Sequence, residues 1–298
     1  MKSDIEAYLS ERKELVERKL LELLPNLNDD SSGLYKSMRY SVLAGGKRLR
    51  PILCIAASDA VGGTVENSLP LACAIEMIHT YSLIHDDLPS MDDDLLRRGK
   101  PTNHSVFGEA LAILAGDALL ADAFYLIANE GFTKGLRPSI LIEVIKDLSM
   151  AVGSRGMVMG QAIDLSLEGC EDVTLEASEC VHTLKTGALI EASVIIGGRI
   201  SGANVYQLSR LKSYSRNIGL AFQIIDDILD IEGGGETGKN RGADQRKRKV
   251  TYPALIGLEK SREIALRLTR EAVEALNGFD KKAQPLRELA HYMGGRRY

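Results

Sequence analysis

The sequence predicts an all-α protein built as one large helical bundle, and three observations carry that prediction. Apolar residues recur at helical spacing along most of the chain, breaks rich in Gly divide that pattern, and alternating strand patterns are nearly absent. Composition agrees. Trp is missing, aromatic residues make up only 5%, and Ala, Leu and Ile are plentiful, which suits helices better than strands. With 298 residues and no composition shift to mark a linker, the chain reads as a single domain over 1–298 with a sizeable core.

The elements follow in order. Residues 4–24 carry Ile5, Leu9, Val16, Leu20 and Leu24 near i, i+4 spacing with charges between them. The segments 34–44, 51–61, 68–87, 106–130, 138–152, 173–196, 204–231, 252–276 and 284–293 read as helices in the same way. Gly45-Gly46, Gly62-Gly63, Gly99-Lys100-Pro101, Gly131, Gly153, Gly169, Gly197-Gly198 and Gly233-Gly234-Gly235 supply the breaks. Residues 232–250 lack periodicity, and a connection that long inside a domain is usually a lid or disordered.

Charge and cysteine usage exclude several classes. A net charge of −4 and a pI near 5.8 argue against a nucleic-acid binder. No run of 18 uncharged apolar residues exists, so no membrane span is expected. The charged, amphipathic N-terminus lacks the apolar core of a secretory signal. Four scattered cysteines without a C-x-x-C pair fit a reduced, cytoplasmic protein better than a zinc site.

Chemistry concentrates in two acidic clusters, each at the end of an apolar helix. The second holds Gln223, Asp226, Asp227 and Asp230 at i, i+3, i+4 and i+7, on one helical face. Burying that much unpaired negative charge is prohibitive, and a divalent cation is the simplest compensation. Oxygen ligands without His or Cys suit Mg²⁺, which also takes substrate phosphates into its shell. In the first cluster Asp86 and Asp92 are off-face on a regular helix, but Pro89 interrupts the run. If two residues loop out there, Asp92 stands one turn above Asp86. His79 lies two turns below Asp86 on the same face. Cations accompany both clusters: Lys47, Arg48 and Arg50 beside a Gly pair, Arg97-Arg98, Lys185-Thr186, and Lys239 and Lys249 in the long loop. Such groups can hold phosphates.

The motifs GGKRLRP (45–51), EMIHTYSLIHDDLPSMDDDLLRRGKPTNH (76–104), GQAIDL (160–165), KT (185–186), FQIIDDILD (222–230), GADQ (242–245) and KVTYP (249–253) together resemble a short-chain trans-polyprenyl diphosphate synthase, most like the bacterial farnesyl diphosphate synthases. The resemblance implies an all-helical bundle around a deep central cavity, usually a homodimer. It implies about three Mg²⁺ ligated through Asp86, Asp92 and Asp226, with Asp87, Asp227 and Asp230 in the same motifs. Lys47, Arg50, His79 and Arg98 match positions that hold isopentenyl diphosphate. Arg97, Lys185, Thr186, Gln223, Lys239 and Lys249 match positions that hold the allylic diphosphate. The family reaction is ionisation, condensation and elimination. Two departures, Arg248 before Lys249 and Asn240 after Lys239, touch details of the loop.

Tyr81, five residues before Asp86 and about 7.5 Å below it on a helix, resembles the floor that limits farnesyl-producing members to C15. Geranyl or geranylgeranyl products, or a non-catalytic regulatory subunit, are the alternatives within the family. Outside it, Glu76-x-x-His79, Glu179-x-x-His182 and Glu288-x-x-His291 fit the spacing of di-iron bundles, but that reading leaves the aspartate clusters unexplained.

Overall fold

A computed structural model describes residues 4–170, 172–232 and 251–295. Helices dominate, and among the described residues the only sheet is a two-stranded hairpin. The described residues group into two compact units, one formed by residues 4–52 and Val65–Ile145 and the other by Leu53–Thr64, 146–232 and 251–295.

The first unit contains α1 (Asp4–Leu23), α2 (Leu34–Val42), the start of α3 (Leu49–Ala60), α4 (Val65–Asp86), strands β1 (Leu96–Arg97) and β2 (Lys100–Pro101), α5 (Asn103–Phe107), α6 (Glu109–Thr133) and the start of α7 (Pro138–Val152). Helix α4 is its axis. Leu71, Ala72, Cys73, Ala74, Ile75, Met77 and Ile78 are all buried, so this helix is apolar on every side, as a central helix must be. It packs on α1, α2 and α6. It begins a turn before the expected start at 68, because Pro70 is tolerated inside the helix and does not mark its first turn.

The second unit contains the rest of α3 and α7, then α8 (Met157–Leu167), α9 (Leu175–Val181), a π-helical turn (His182–Gly187), α10 (Ala188–Ile200), α11 (Val205–Glu232), α12 (Tyr252–Ile256), α13 (Leu258–Ala275) and α14 (Gln284–Gly294). Helix α11 is the axis here, packed on α10, α12, α13, α14 and the π turn. The expected helix 252–276 is broken at Gly257, whose φ of 84° suits glycine.

Two expected breaks are not breaks. Gly131 lies inside α6, and Gly197 and Gly198 lie inside α10. A Cβ on Gly197 would fall 2.0 Å from the Cys54 carbonyl oxygen, so this glycine serves close helix approach rather than termination. Helix α8, the hairpin and the short α5 escaped the periodicity reading. By length and composition, Glu109–Gly131 and Leu175–Ile200 are apolar enough to cross a membrane, although charges such as Asp117 and Asp122 keep the first from being an uninterrupted apolar run. Their packing gives that apolarity another use: α6 lies on α4, and α10 on α11.

Candidate active site

In the first unit the chain leaves α4 at Asp86 and doubles back. Met91 and Asp93 donate their N–H groups to the Leu88 carbonyl, at 2.9 and 3.1 Å. The Asp92 N–H reaches the Asp86 carbonyl at 2.8 Å. The loop-out at Pro89 therefore places Asp92 over Asp86 as expected. Both carboxylate residues are half-buried.

Asp87 has a different fate. It is buried and accepts Arg97 Nε on both oxygens, at 2.7 and 2.8 Å, with a further contact from Nη2. Arg97 also lies 3.5 Å from Asp94. The tight β1–β2 hairpin, pairing Arg97 with Lys100, brings this guanidinium back beneath the motif. Burial works against the Arg97 charge, but Asp87 outweighs it and holds the pKa above the ordinary arginine value. Arg97, matched above to a position that holds the allylic diphosphate, thus has its charge met by Asp87 within the protein.

The Gly45-Gly46 segment shows a similar division. Arg48 adopts φ of 52° and turns inward. It donates to Glu76 Oε1 at 2.7 Å and to the Val42 carbonyl at 2.6 Å, and its Nε lies 3.5 Å from Glu17. Lys47 remains exposed, and Arg50 Nη1 meets His79 Nε2 at 3.2 Å. Since arginine only donates, Nε2 accepts and the proton sits on Nδ1. Burial first, then the charges of Arg50, Arg98, Arg97 and Arg48, hold His79 well below its usual pKa, so it is a neutral imidazole. Arg98 donates to the Gly45 carbonyl and lies across Gly46, where a Cβ would come within 2.6 Å of its guanidinium. Burial depresses the Arg98 pKa, so an incoming anion would relieve a desolvated cation.

In the second unit Asp226 and Asp230 share the half-open face of α11 with Gln223. Asp227 is buried. It accepts the Tyr252 backbone N–H at 3.0 Å, His182 Nε2 at 3.1 Å and Gln223 Nε2 at 3.4 Å. Thr186 donates to Gln223 Oε1 at 3.0 Å, and Lys185 Nζ donates to Asp164 at 2.7 Å. Both Lys185 and Thr186 lie in the π turn, a local widening that often marks functional sites. Gly160 makes room for it: a Cβ there would sit 2.2 Å from the Lys185 backbone nitrogen.

Lys239 and Lys249 lie outside the described residues. Asp164, Glu76, Glu179 and Tyr252 escaped the sequence reading as site residues, although all four stand in the motifs or Glu-x-x-His patterns noted above. Two of the three Glu-x-x-His patterns now have another explanation. Glu76 and His79 bond to Arg48 and Arg50, while Glu179 and His182 bond to Tyr252 and Asp227.

Among the described residues, no group of three or more His, Cys, Asp or Glu side chains converges to hold a metal unaided. The donors at hand, Asp86 with Asp92 and Asp226 with Asp230, are carboxylates only. That set fits Mg²⁺, which completes its shell with water and phosphate oxygens.

Comparison with known proteins identifies the family. Residues 31–289 match the family model for polyprenyl synthetases. A chloroplastic geranylgeranyl pyrophosphate synthase of Catharanthus roseus is 51% identical over 295 residues, covering 98% of this chain and 82% of that protein. A geranylgeranyl diphosphate synthase of Cyanophora paradoxa is 51% identical over 290 residues, covering 97% and 95%. The crystal structure of an FPP/GFPP synthase from Zymomonas mobilis superposes with a TM-score of 0.86 at 39% identity, covering 97% of this chain and 98% of that one. The helical architecture, the two aspartate motifs and these similarities converge on one conclusion: the chain belongs to the polyprenyl synthetase family and is a prenyltransferase of the prenyl diphosphate synthase class.

Proposed function

We propose that the protein condenses isopentenyl diphosphate with an allylic diphosphate and stops at farnesyl diphosphate. Arg50, Lys47 and Arg98 bind the isopentenyl diphosphate, and neutral His79 orients Arg50. Lys185, Thr186 and Gln223 position the allylic substrate. When bound at Asp86, Asp92 and Asp226, Mg²⁺ supplies charge neutralisation for the diphosphate leaving group. The allylic C1–O bond ionises, the isopentenyl double bond attacks C1, and the departing pyrophosphate accepts the proton lost in forming the new double bond.

Tyr81 carries the C15 reading. It is buried on α4, and its ring sits edge-on to His85 with centroids 5.7 Å apart. His85 donates Nε2–H to the Ile113 carbonyl at 3.1 Å and lies against Gly116, where a Cβ would fall 2.1 Å from that nitrogen. A ring braced in this way makes a stiff floor for a growing chain. Burial, then the neighbouring Asp86 charge, push its hydroxyl up to about 12, so it is neutral.

The relatives' names weigh for a second reading, a geranylgeranyl product, more than for the first. Mass analysis of the alcohols released from product separates them. Farnesol from the wild type and longer alcohols from Tyr81→Ala support the first. Geranylgeraniol from the wild type establishes the second and removes Tyr81 as the floor. Activity of the purified chain alone is expected, and observing it would exclude a regulatory subunit.

We also propose a homodimer formed through α6, whose outer side exposes Ile113, Leu114 and Tyr125. Light scattering at the mass of a monomer would refute it.

A further inference from the structure

One Glu-x-x-His pattern, Glu179 with His182, has no part in the proposed reaction, yet it is built into a closed set of hydrogen bonds in the second unit. Tyr252 is fully buried. Its hydroxyl donates to Glu179 Oε1, its backbone N–H donates to Asp227 Oδ2 at 3.0 Å, and its ring stacks on His182 at 5.8 Å and 19°. His182 Nε2 lies 3.1 Å from the same Asp227 oxygen, and a carboxylate only accepts, so the proton is on Nε2. Burial, and then the bond to Glu179, raise the pKa of the Tyr252 hydroxyl, which therefore stays a donor.

From Asp227 the connection continues. Gln223 Nε2 donates to Asp227 Oδ1 at 3.4 Å, and Thr186 donates to Gln223 Oε1 at 3.0 Å. Thr186 and His182 belong to the same π turn. A chain of polar contacts thus runs from Glu179 through Tyr252, Asp227 and Gln223 to Thr186. It closes at the π turn, which carries both Thr186 and the His182 that bonds to Asp227. Each link fixes the orientation of the next, since an amide or carboxylate with both ends engaged has one rotamer that satisfies them.

We propose that Glu179, Tyr252, His182 and Asp227 are positioning residues that set the orientation of Gln223 and Thr186 toward the allylic substrate, and that Asp227 does this instead of ligating metal. The inference rests on the proposed reaction for the identity of its substrate.

The test uses the full-length protein with Tyr252→Phe, which removes only the link to Glu179, with Thr186→Val at the far end, and with the double variant. Two readouts are taken: the Michaelis constants for both substrates, and calorimetric binding of geranyl S-thiolodiphosphate, an unreactive allylic analogue, with MgCl₂. Losing one net hydrogen bond's worth of positioning should weaken allylic binding about fivefold. The isopentenyl constant should stay within about twofold, and the double variant should bind no more weakly than Thr186→Val alone. Glu179→Gln, which keeps an acceptor for the hydroxyl, should bind the analogue as the wild type does.

Unchanged allylic binding in Tyr252→Phe with a lowered melting temperature would overturn the proposal, leaving a structural brace. So would equal losses for both substrates, or full multiplication of effects in the double variant. If the wild type binds the analogue but condenses nothing, the proposed reaction fails, while the calorimetric comparison still decides the positioning role.

Discussion

The two aspartate motifs end helices of different character but divide their labour in the same way. In each adjacent pair the first residue, Asp86 or Asp226, stays half-open, and the second, Asp87 or Asp227, is buried against protein partners. The partners differ. Asp87 holds Arg97, which is always charged, whereas Asp227 holds a backbone N–H, an amide and an imidazole. A motif that looks like a row of equivalent ligands is therefore two open oxygen donors and one anchor. The anchor at α4 is ionic, and the anchor at α11 is a hydrogen-bonded hub.

The largest effect should separate open from buried members. Asp86→Ala and Asp226→Ala should each lower kcat about a thousandfold, roughly 4 kcal/mol of transition-state stabilisation. Their melting temperatures should stay close to that of the wild type. A variant that melts much earlier would show the open carboxylates to be structural too.

Next, the anchors should differ from each other in stability. Asp87→Ala strands the Arg97 charge, and denaturant unfolding should show a loss of about 3 kcal/mol, toward the low end for broken buried pairs because Arg97 keeps 22% side-chain exposure. Asp227→Ala leaves a backbone N–H, an amide and an imidazole without their shared acceptor but strands no guanidinium, so a loss of about 1–2 kcal/mol is expected. The reverse order would mean that the hub, not the ion pair, carries the heavier load.

The smallest effect concerns pH. His79 stays neutral in the folded state because its pKa is depressed, while in the unfolded chain it titrates near the ordinary value of about 6.5. As pH falls through that value the unfolded state takes up a proton that the folded state refuses, so stability falls. Chemical denaturation at pH 7.5 and 5.5 should show a smaller loss for His79→Gln than for the wild type. Equal losses would place the acid sensitivity elsewhere.

Much of this was legible in the sequence, for identifiable reasons. The spacing of Gln223, Asp226 and Asp230 on α11 is a property of helical geometry, and the return of Asp92 over Asp86 follows from Pro89. Helix α8 carries no clear amphipathic signal because Asp164 bonds to Lys185 in the π turn and the Gln161 amide atoms are buried, so polar positions do not mark its solvent face. The inward turn of Arg48 was equally hidden, since nothing local distinguishes it from Lys47 and Arg50.

The sequence by itself determined the helical class, the two acidic helix ends and the family, because these depend on short-range periodicity and on motifs that survive without coordinates. Only the tertiary structure decided which members of each motif are open and which are anchors. That choice depends on partners distant in the chain, Arg97 for Asp87 and His182 with Tyr252 for Asp227. Burial of a charge is tolerated only where such partners arrive, and packing alone determines where they do.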